Sequence, residues 1–540
     1  MKKFYITTPL YYVNAKPHIG HAYTNILCDA YARYRRLRHG DDSVFFLTGT
    51  DEHGTKIEKA AKENGKGPKA YADEMVPVFK ELWEILGISY DYFIRTTDDA
   101  HKTIVGNILR DLELKQDIYP AKYEGWYCTP CESFWTELQL LEGKCPDCHR
   151  EVQKLSEENY FFKLSKYHDW LVKYIQDNPK FIQPEIRRNE ILGFLREPLE
   201  DLCITRPRSR LNWGIDYPNS KDHVVYVWFD ALVNYISAVG YTVDSERFNT
   251  YWPADVHMVG KDILRHHAVY WPIMLKACGL QMPKAIIAHG WWTMGGQKVS
   301  KSRGNAVDPF ELVKKYGADA FRYYLLHEVT VGYDGTFSED LLRERYITDL
   351  SNDLGNLWFR LATMLEKYFG GQLPKVESSE DSPALRSDKL WMQGMWESFT
   401  KAVEINNRSE IYEEVTQFDP RLALDAIWDL IKKANKKIEE KKPWILAKDP
   451  AKKTELAETL IIIAEWIAHI ACLLQPFLPE TAKKILKRLN LPEKVDIAEN
   501  EIAFGKGLLS PGLKVERGEA LFPKLEEDPH LIPPPQSGGG

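Results

Sequence analysis

The sequence predicts an α/β protein whose open parallel sheet is interrupted by an inserted segment and followed by an α-helical bundle. Three observations lead to this fold class. A β-rich run, a helical pattern and a second β-rich run follow one another near the N-terminus. A charged, aromatic segment with four clustered cysteines then interrupts this alternation, and helical patterns dominate from about residue 341. The chain has 540 residues, which exceeds what one hydrophobic core normally organises, so we expect several domains.

The N-terminal elements predict a nucleotide-binding sheet. The first β-rich run, Phe4 to Val13, precedes a helical pattern from about Pro17 to His39, and the second β-rich run is Ser43 to Thr48. Strand, helix and strand in this order form a βαβ unit with parallel strands, which is typical of a Rossmann-like fold. Open sheets of this kind bind ligands at the carboxyl ends of their strands.

Strand-like runs return after the cysteine-rich segment, at Val224 to Phe229, His257 to Val259 and Ala285 to Ala288. Helical stretches follow two of them, as expected for a second half of the same sheet. The sheet is therefore predicted to be split by an insertion. The predicted ranges are a first half of the sheet domain at 1–115, an inserted connective domain at 116–217, a second half of the sheet domain at 218–340, an α-helical domain at 341–500 and a C-terminal tail at 501–540.

The composition excludes several classes of protein. With 44% hydrophobic, 12% aromatic and 28% charged residues, the chain can form several cores and is neither disordered nor fibrous. The most apolar stretch, Leu460 to Phe477, is interrupted by polar side chains, so it predicts a buried amphipathic helix and no membrane span. The N-terminal run MKKFYITTPLYYV predicts a strand and no export signal, so we expect a cytoplasmic protein.

The motif Pro17-His18-Ile19-Gly20-His21 stands between the first strand and its helix. A helix N-terminus at this place attracts phosphate through its backbone N–H groups and its dipole. Gly20 leaves room for a flat base against the backbone, while His18 and His21 offer hydrogen-bond donors to phosphate oxygens. The alternative is two ordinary helix histidines without a ligand.

A second motif, Lys298-Val299-Ser300-Lys301-Ser302, is preceded by two glycines and followed by a helical pattern. A glycine-flanked loop with two lysines suits the clamping of a polyphosphate in a transition state and the release of pyrophosphate afterwards. On its own, this motif is also compatible with a solvated basic loop.

Four of the eight cysteines form a metal motif, Cys128-x2-Cys131-x13-Cys145-x2-Cys148. Two such CxxC pairs can place four thiolates tetrahedrally around Zn²⁺. Four cysteines close the coordination sphere and leave no position for water, so we predict one structural zinc per chain. Without a metal, these residues would be reactive surface thiols.

The net charge of −7 leaves room for a local basic surface on an acidic protein. The segment from Ile431 to Lys453 holds nine lysines against three carboxylates. Such a run is most often the solvated face of a helix. Here it surrounds Pro443-Trp444, and an aromatic side chain among lysines is a stacking platform for an unpaired base.

The two motifs at the ends of a split parallel sheet resemble the signature pair of class I aminoacyl-tRNA synthetases. Several runs, in the same order, are similar to methionyl-tRNA synthetases: TTPLYYVNAKPHIGHAYT, TGTDEHGTKI, VVYVWFDALVNY, HMVGKDILRHH and KVSKSRGN. The resemblance extends from Phe4 to about Leu489. It implies that the chain joins methionine to ATP, with Mg²⁺, as methionyl-adenylate, and then passes the methionyl group to the terminal adenosine of initiator and elongator methionine tRNA.

The resemblance also implies roles for single residues. The implied catalytic residues are His18, His21, Lys298 and Lys301. The implied ATP-binding residues are His18, Gly20, His21, Gly260, Asp262, Val299 and Lys301. The implied methionine-binding residues are Leu10, Tyr12, Asp51, Trp228, Tyr235 and His267. The implied zinc ligands are Cys128, Cys131, Cys145 and Cys148, in a domain near the acceptor end of tRNA.

Chemistry supports these assignments. A methionine pocket should be aromatic and apolar with one polar contact, because the side chain is unbranched and its sulfur is polarisable. A carboxylate such as Asp51 can hold the ammonium group, and Asp262 can accept from ribose hydroxyls. Arg206 would pair with Asp51 or with the nucleotide. For Trp228, the alternative is a purely structural aromatic in the core.

In the helical domain, the resemblance makes Trp444 the residue that stacks on the anticodon, with Asn352 as a hydrogen-bonding partner on a neighbouring helix. Thr348 departs from the asparagine that is usual in the family. Some family members carry a further C-terminal oligonucleotide-binding domain that dimerises them. We expect no such domain here and therefore a monomer.

Two other functions compete with this interpretation. Leucine, isoleucine and valine synthetases carry a much larger editing insertion, and the cysteine enzyme spreads its zinc ligands through the active site. A catalytically inactive RNA-binding paralogue would keep the zinc module and the helices without chemistry. The intact His18, His21, Lys298 and Lys301 argue against it. Methionine-dependent exchange of labelled pyrophosphate into ATP separates an enzyme from such a paralogue.

Overall fold

The computed structural model describes residues 3–129, 133–135, 137–146, 148–294, 297–298, 307–375, 419–495 and 508–525. The chain divides into two compact units. The sheet unit comprises Met1–Pro309, Glu328–Phe337 and Lys401–Arg421. The helical unit comprises Phe310–His327, Ser338–Thr400 and Leu422–Gly540.

The strands lie in the sheet unit. In its described residues they are β1 (Phe4–Thr7), β2 (Tyr11–Tyr12), β3 (Val44–Asp51), β4 (Tyr92–Arg95), β5 (Ile118–Cys128), β6 (Ser133–Trp135), β7 (Gln153–Phe162), β8 (Ile182–Gln183), β9 (Leu202–Cys203), β10 (Thr205–Pro207), β11 (His223–Val225), β12 (Val256–Gly260), β13 (Ala285–His289), β14 (Trp292–Met294), β15 (Gln297–Lys298) and β16 (Gly335–Thr336).

The main sheet is parallel and has seven strands, in the order β2-β3-β1-β12-β13-β8, with β4 paired to β3. All residues of β1, β3, β12 and β13 are buried. Continuous apolar runs of this kind are typical of parallel strands that helices cover on both faces. The predicted α/β fold class with a split parallel sheet is confirmed.

The strand predicted at Val224 to Phe229 is wrong in two respects. The strand β11 ends at Val225 and pairs antiparallel with β10, outside the main sheet. The residues after it form a short helix, Val227–Leu232. The prediction failed because β-branched and aromatic residues are common to strands and to buried helices, and packing decides between the two.

The first predicted strand also differs, because the run from Phe4 to Val13 is broken at Pro9 into β1 and β2. A proline lacks the N–H group that a strand interior needs. A further difference lies in the range predicted as an insertion, since the two-residue strand β8 within it pairs parallel to β13 at the edge of the main sheet.

The cysteine-containing segment forms a separate antiparallel sheet with the order β6-β5-β7-β9. The long hairpin of β5 and β7 pairs Ile118 with Phe162 at one end and Tyr127 with Gln153 at the other. A small core at its far end contains Cys128, Trp135 and Cys145.

Helices cover the main sheet. In the described part of the sheet unit they are Ile19–His39, Thr55–Glu63, Pro68–Ile85, Asp99–Leu114, His168–Asp177, Glu185–Phe194, Val227–Leu232, Asn234–Ser237, Ser245–Tyr251 and Trp271–Cys278, with a π-helical turn at His266–Tyr270. The first of these ends at Gly40, whose φ of 87° is a conformation that glycine adopts without steric cost. Three basic residues in its last turn complement the helix dipole.

Helices make up most of the described part of the helical unit. In its described residues they are Pro309–Tyr316, Ala318–His327, Glu339–Arg345, Asn356–Phe369, Pro420–Lys441, Pro443–Leu446, Lys453–Leu474 and Pro479–Arg488, with a π-helical stretch at Tyr346–Gly355. The first and fifth of these begin at residues that belong to the sheet unit. The C-terminal segment 508–525 is hydrogen-bonded to this unit, for example through Glu465, which accepts from the backbone N–H groups of Leu508 and Leu509.

One described helix, within Pro450–Leu474, is long and apolar enough to cross a membrane by length and composition. Of its most apolar window, 89% is buried inside the protein. A core helix passes the same test, so this helix is weak evidence for a membrane span. Its burial agrees with the buried helix predicted at Leu460 to Phe477.

Candidate active site

A large cleft opens at the carboxyl ends of the parallel strands β1, β3, β12 and β13, and its volume is about 1220 Å³. It lies within the sheet unit. Most of the predicted ligand-binding residues line it together: Leu10, Tyr12, His18, Gly20, His21, Asp51, Arg206, Trp228, Tyr235, Gly260, Asp262 and His267. Residues that are far apart in the sequence therefore meet in one site, as the position of open-sheet ligand sites predicts.

The two motif histidines cap the helix Ile19–His39 reciprocally. The Nδ1 atom of His18 accepts from the Gly20 N–H at 3.1 Å, and the Nδ1 atom of His21 lies 3.4 Å from the His18 N–H group. The two rings are stacked, with centroids 3.8 Å apart. Because both Nδ1 atoms accept, the proton of each neutral ring is on Nε2, which is therefore a donor.

Gly20 accommodates the close approach of the first histidine. A Cβ atom at this position would lie 3.0 Å from Cε1 of the His18 ring. A larger residue would therefore require the ring to shift by a few tenths of an ångström.

A buried tyrosine–histidine pair forms the inner end of the cleft. The Tyr235 hydroxyl lies 2.7 Å from His267 Nε2, and His267 Nδ1 lies 2.8 Å from the Ile263 carbonyl oxygen. A carbonyl accepts only, so His267 donates from Nδ1 and accepts from Tyr235 at Nε2. Burial lowers the pKa of His267 to about 4, against smaller opposite effects of the Ile263 carbonyl and Asp262. The pair is therefore neutral at pH 7.

An aromatic wall extends from this pair. The Trp228 ring is stacked on the His266 ring with centroids 3.8 Å apart, and Tyr12 meets Trp228 edge-on at 6.3 Å. Burial also lowers the pKa of His266 well below its usual value. Trp228 thus lines the cleft. The alternative, a purely structural aromatic enclosed in the core, does not describe it.

Asp51 is the last residue of β3, opposite Tyr12 in the pairing of β2 with β3. Its carboxylate is largely buried and lines the cleft beside the aromatic wall. This strand end thus places a negative charge next to an apolar pocket.

The strand end of β12 carries the other predicted carboxylate. The side chain of Asp262 accepts from the Trp291 indole N–H at 3.1 Å, and the ammonium group of Lys261 lies 4.0 Å from the Trp291 ring centroid. A Cβ atom at Gly260 would lie 2.7 Å from Asp262 Oδ1, so glycine allows this carboxylate to fold back over the strand end.

Arg206 is a buried cation at the rim of the cleft. It donates to the Thr205 carbonyl oxygen at 2.7 Å, and its guanidinium carbon lies 4.4 Å from the Tyr226 ring centroid. The predicted pairing of this residue with Asp51 or a nucleotide stays a prediction.

Three of the four predicted zinc ligands lie together. The Sγ atoms of Cys128, Cys145 and Cys148 are all within 4.8 Å of one another, and those of Cys128 and Cys148 are 3.5 Å apart. The fourth cysteine, Cys131, lies outside the described residues. Cys148 also lines the cleft, so the cluster is adjacent to it.

Two groups of predicted residues lie elsewhere. Val299 and Lys301 are outside the described residues, and Lys298 is described only as part of β15, which pairs antiparallel with β14. Trp444 and Asn352 are in the helical unit and are both exposed, with the Arg360 guanidinium carbon 5.7 Å from the Trp444 ring centroid. The hydroxyl of Thr348 donates to Glu344 or Asp349 on its own helix.

His266 and Trp291 are among the cleft residues that were not predicted from the sequence. His266, which contacts Trp228, is the first residue of a π-helical turn. No sequence pattern predicted this turn. Trp291 could have been found, because it follows the carboxyl end of the predicted strand at Ala285 to Ala288, where ligand sites of open sheets lie.

A parallel sheet with a histidine-capped helix at its ligand edge is typical of nucleotide-binding α/β enzymes. The family model "tRNA synthetases class I (M)" matches residues 4–157 and 150–362, and "Anticodon binding domain of methionyl tRNA ligase" matches residues 397–531.

Relatives agree. The chain is 50% identical over 531 residues to Methionine--tRNA ligase of Caldanaerobacter subterraneus subsp. tengcongensis, covering 98% of this chain and 80% of the relative. It is 49% identical over 530 residues to that of Clostridium acetobutylicum, covering 98% and 79%. The solved Mycobacterium tuberculosis methionyl-tRNA synthetase in complex with methionyl-adenylate is 40% identical, with a TM-score of 0.88 over 97% of this chain and 100% of that chain.

The chain therefore belongs to the methionyl-tRNA synthetase family of class I. The family predicted from the sequence is confirmed.

We expect the pH dependence of stability to report the neutral state of His267. Its pKa is lowered from 6.5 to about 4 by burial, partly offset by the Ile263 carbonyl and Asp262. As the pH falls, the unfolded chain takes up this proton first. The contribution of the neutral ring to the free energy of unfolding is thus fully present above about pH 6.5. It is lost as the pH falls toward about 4, by about 3 kcal/mol at most.

The measurement is the melting temperature of the wild type and of His267→Gln over this pH range. Glutamine can accept from the Tyr235 hydroxyl but does not titrate, and all other histidines are common to both proteins. The wild type should lose more stability on acidification than the variant. Parallel curves for the two proteins would contradict the assignment.

Proposed function

We propose that the cleft binds methionine at its aromatic inner end and ATP at the histidine-capped helix, and joins them as methionyl-adenylate. As a member of its family, the chain is a methionine–tRNA ligase: it activates methionine with ATP and charges methionine tRNA, both initiator and elongator. The observation that supports the residue assignments is that one cavity contains both the paired histidines and the Tyr235–His267 pair.

In this proposal, methionine lies between the aromatic wall and the strand end of β3. Leu10, Tyr12 and Trp228 contact its side chain, and the neutral Tyr235–His267 pair supplies the polar contact near sulfur. The ammonium group binds Asp51 by a charge-assisted hydrogen bond. A neutral pocket suits a thioether, because a charged group there would have to be desolvated without a partner.

ATP would lie across the N-terminus of the helix Ile19–His39. Gly20 and Gly260 leave space for the nucleotide, and Asp262 accepts from the ribose. Val299 stays a predicted ATP-binding residue. The Nε2–H groups of His18 and His21 donate hydrogen bonds to phosphate oxygens. Lys298 and Lys301 complete the phosphate site.

The first step forms one bond and breaks one. A carboxylate oxygen of methionine attacks the α-phosphorus of ATP, the bond to the bridging oxygen breaks, and pyrophosphate leaves. Negative charge increases on the phosphoryl oxygens, where the imidazole and ammonium donors stabilise it. Mg²⁺ bound with ATP would neutralise part of the charge on the phosphates.

In the second step, a hydroxyl of the terminal adenosine of tRNA attacks the methionyl carbonyl carbon. The ester forms, the bond between the carbonyl carbon and the phosphate oxygen breaks, AMP leaves, and the hydroxyl proton is released to solvent. The cleft continues toward the cysteine cluster, which supports the role of the inserted domain near the acceptor end.

We also propose that Cys128, Cys131, Cys145 and Cys148 hold one structural Zn²⁺. The fit is good, because a tetrahedral site with zinc–sulfur distances of about 2.3 Å separates its sulfurs by about 3.8 Å. The Cys128 and Cys148 sulfurs are 3.5 Å apart. The ion would fix the end of the β5–β7 hairpin and supply no catalytic step.

The helical unit would bind the anticodon. Trp444 is 38% exposed within the lysine-rich segment, and Arg360 lies over its ring. An exposed indole held in this way can stack on an unpaired base, while Asn352 hydrogen-bonds a base edge. Family membership further supports a cytoplasmic translation enzyme.

The first experiment tests adenylate formation. His21→Ala should lower kcat for methionine-dependent pyrophosphate exchange by roughly 10²-fold, because its donor acts on charge that develops in the transition state. His39→Ala, at the other end of the same helix, is the control and should retain activity. A rise in KM for methionine with kcat intact would contradict the role.

The second experiment tests the metal. Elemental analysis should find one equivalent of zinc in protein purified without chelator, and Cys145→Ser should lose it. The variant should melt earlier and keep part of its pyrophosphate exchange, because the ion lies outside the chemical step. Protein without metal would refute the site.

The third experiment tests tRNA selection. Trp444→Ala should lower kcat/KM for methionine tRNA by roughly one to two orders of magnitude, since one stacked base is worth about 1–3 kcal/mol. Pyrophosphate exchange should stay at the wild-type level. Trp444→Phe retains an aromatic face and should recover most of the charging rate. Normal charging by Trp444→Ala would make this residue a purely structural one.

A further inference from the structure

A buried carboxylate lies behind the cleft. Asp230 has no exposed surface, and its Oδ2 and Oδ1 atoms lie 2.6 Å from His53 Nδ1 and 2.7 Å from His101 Nε2. The second nitrogen of His101, Nδ1, lies 2.7 Å from the Ser237 hydroxyl. An ionised carboxylate offers only acceptors, so both histidines present N–H groups to Asp230.

These residues connect the two sides of the proposed methionine site. His53 is two residues past Asp51, which ends β3. Asp230 is two residues past Trp228 on the helix Val227–Leu232. The contact between His53 and Asp230 therefore joins the segment with the cleft carboxylate to the segment with its aromatic wall.

Asp230, His53 and His101 are separate from the residues of the cleft surface. None of them is among the described residues that line the cleft. Burial by itself would raise the pKa of Asp230, but the two histidines hold it below its usual range. The group is thus an anion at neutral pH.

A buried charge by itself contributes little to the stability of the fold. Desolvation costs free energy, and well-packed apolar residues of the same size often stabilise as much or more. Short hydrogen bonds to a charged acceptor add direction and a fixed spacing, which apolar contacts lack.

We propose that Asp230 is a positioning residue for methionine: through its contact with His53 it holds Asp51 and Trp228 at the separation that lets both ends of the amino acid bind together, while His101 fixes the second carboxylate oxygen. This inference rests on the proposed function, in which Asp51 binds the ammonium group and Trp228 contacts the side chain.

The test is Asp230→Asn, assayed by pyrophosphate exchange. An amide offers one acceptor and one donor group, so it cannot replace a carboxylate that accepts from two rings. The KM for methionine should rise roughly 10- to 100-fold, while the KM for ATP stays within about twofold, because misplacement affects only the amino-acid end of the cleft.

Asp117→Asn is the matched control. Asp117 is also buried and accepts from Lys166 at 2.6 Å and from Tyr167 at 2.8 Å, in the inserted segment. This variant should lose stability without the selective change in KM. A similar selective rise in Asp117→Asn, a folded Asp230→Asn with an unchanged KM for methionine, or an equal rise in both KM values would overturn the proposal.

Two histidine variants keep the proposal testable if Asp230→Asn does not fold. His53→Asn retains an N–H donor close to the place of Nδ1, whereas His53→Ala does not. The KM for methionine should be near wild type in His53→Asn and raised roughly tenfold or more in His53→Ala. Equal KM values in these two variants would overturn the role of the hydrogen bond.

Failure of the inference differs from failure of the proposed function. If the wild type catalyses no exchange, or if Asp51→Asn leaves the KM for methionine unchanged, the assignment of the site is wrong. If Asp51→Asn raises this KM but Asp230→Asn does not, only the positioning role is wrong.

Discussion

The parallel pairing of β1 with β3 on one side and with β12 on the other is the constraint on which the site depends. Phe4 pairs with Val44 and Ile6 with Val256, so strands from both halves of the sheet unit share one direction and one register. Their carboxyl ends therefore reach the same edge, and the residues that follow them face one cleft. A change in register would separate the histidine-capped helix from the end of β12.

The cleft combines two electrostatic environments at this edge. At the helix terminus, backbone dipoles and the donor atoms of His18 and His21 favour an anion. At the inner end, burial keeps His267 and its neighbour His266 neutral. The aromatic wall can therefore form hydrogen bonds but carries no charge. Asp51 lies between these environments as the negative group. The arrangement suits a zwitterion with an apolar side chain that reacts with a polyphosphate.

Much of this arrangement could be predicted from the sequence. The βαβ unit and the histidine motif were found because they depend on continuous apolar runs and on short local patterns. The methionine-binding residues followed from the family resemblance, and those predicted residues line the cleft. The helix at Val227–Leu232 was not predicted, because its residue types are also common in strands. The contact of His101 with Asp230 spans 129 residues and leaves no periodic trace, so only the folded chain reveals it.

The order of strands also bears on how the chain is made. The amino-terminal strand β1 is complete at Thr7, yet its partner β12 begins at Val256. At a synthesis rate of about 5–20 residues per second, one edge of β1 waits roughly 10–50 seconds for that partner. During this interval the backbone N–H and C=O groups along that edge of β1 are unpaired. Pairing of this edge with another chain is thus a hazard during synthesis, long before any tRNA or amino acid can bind.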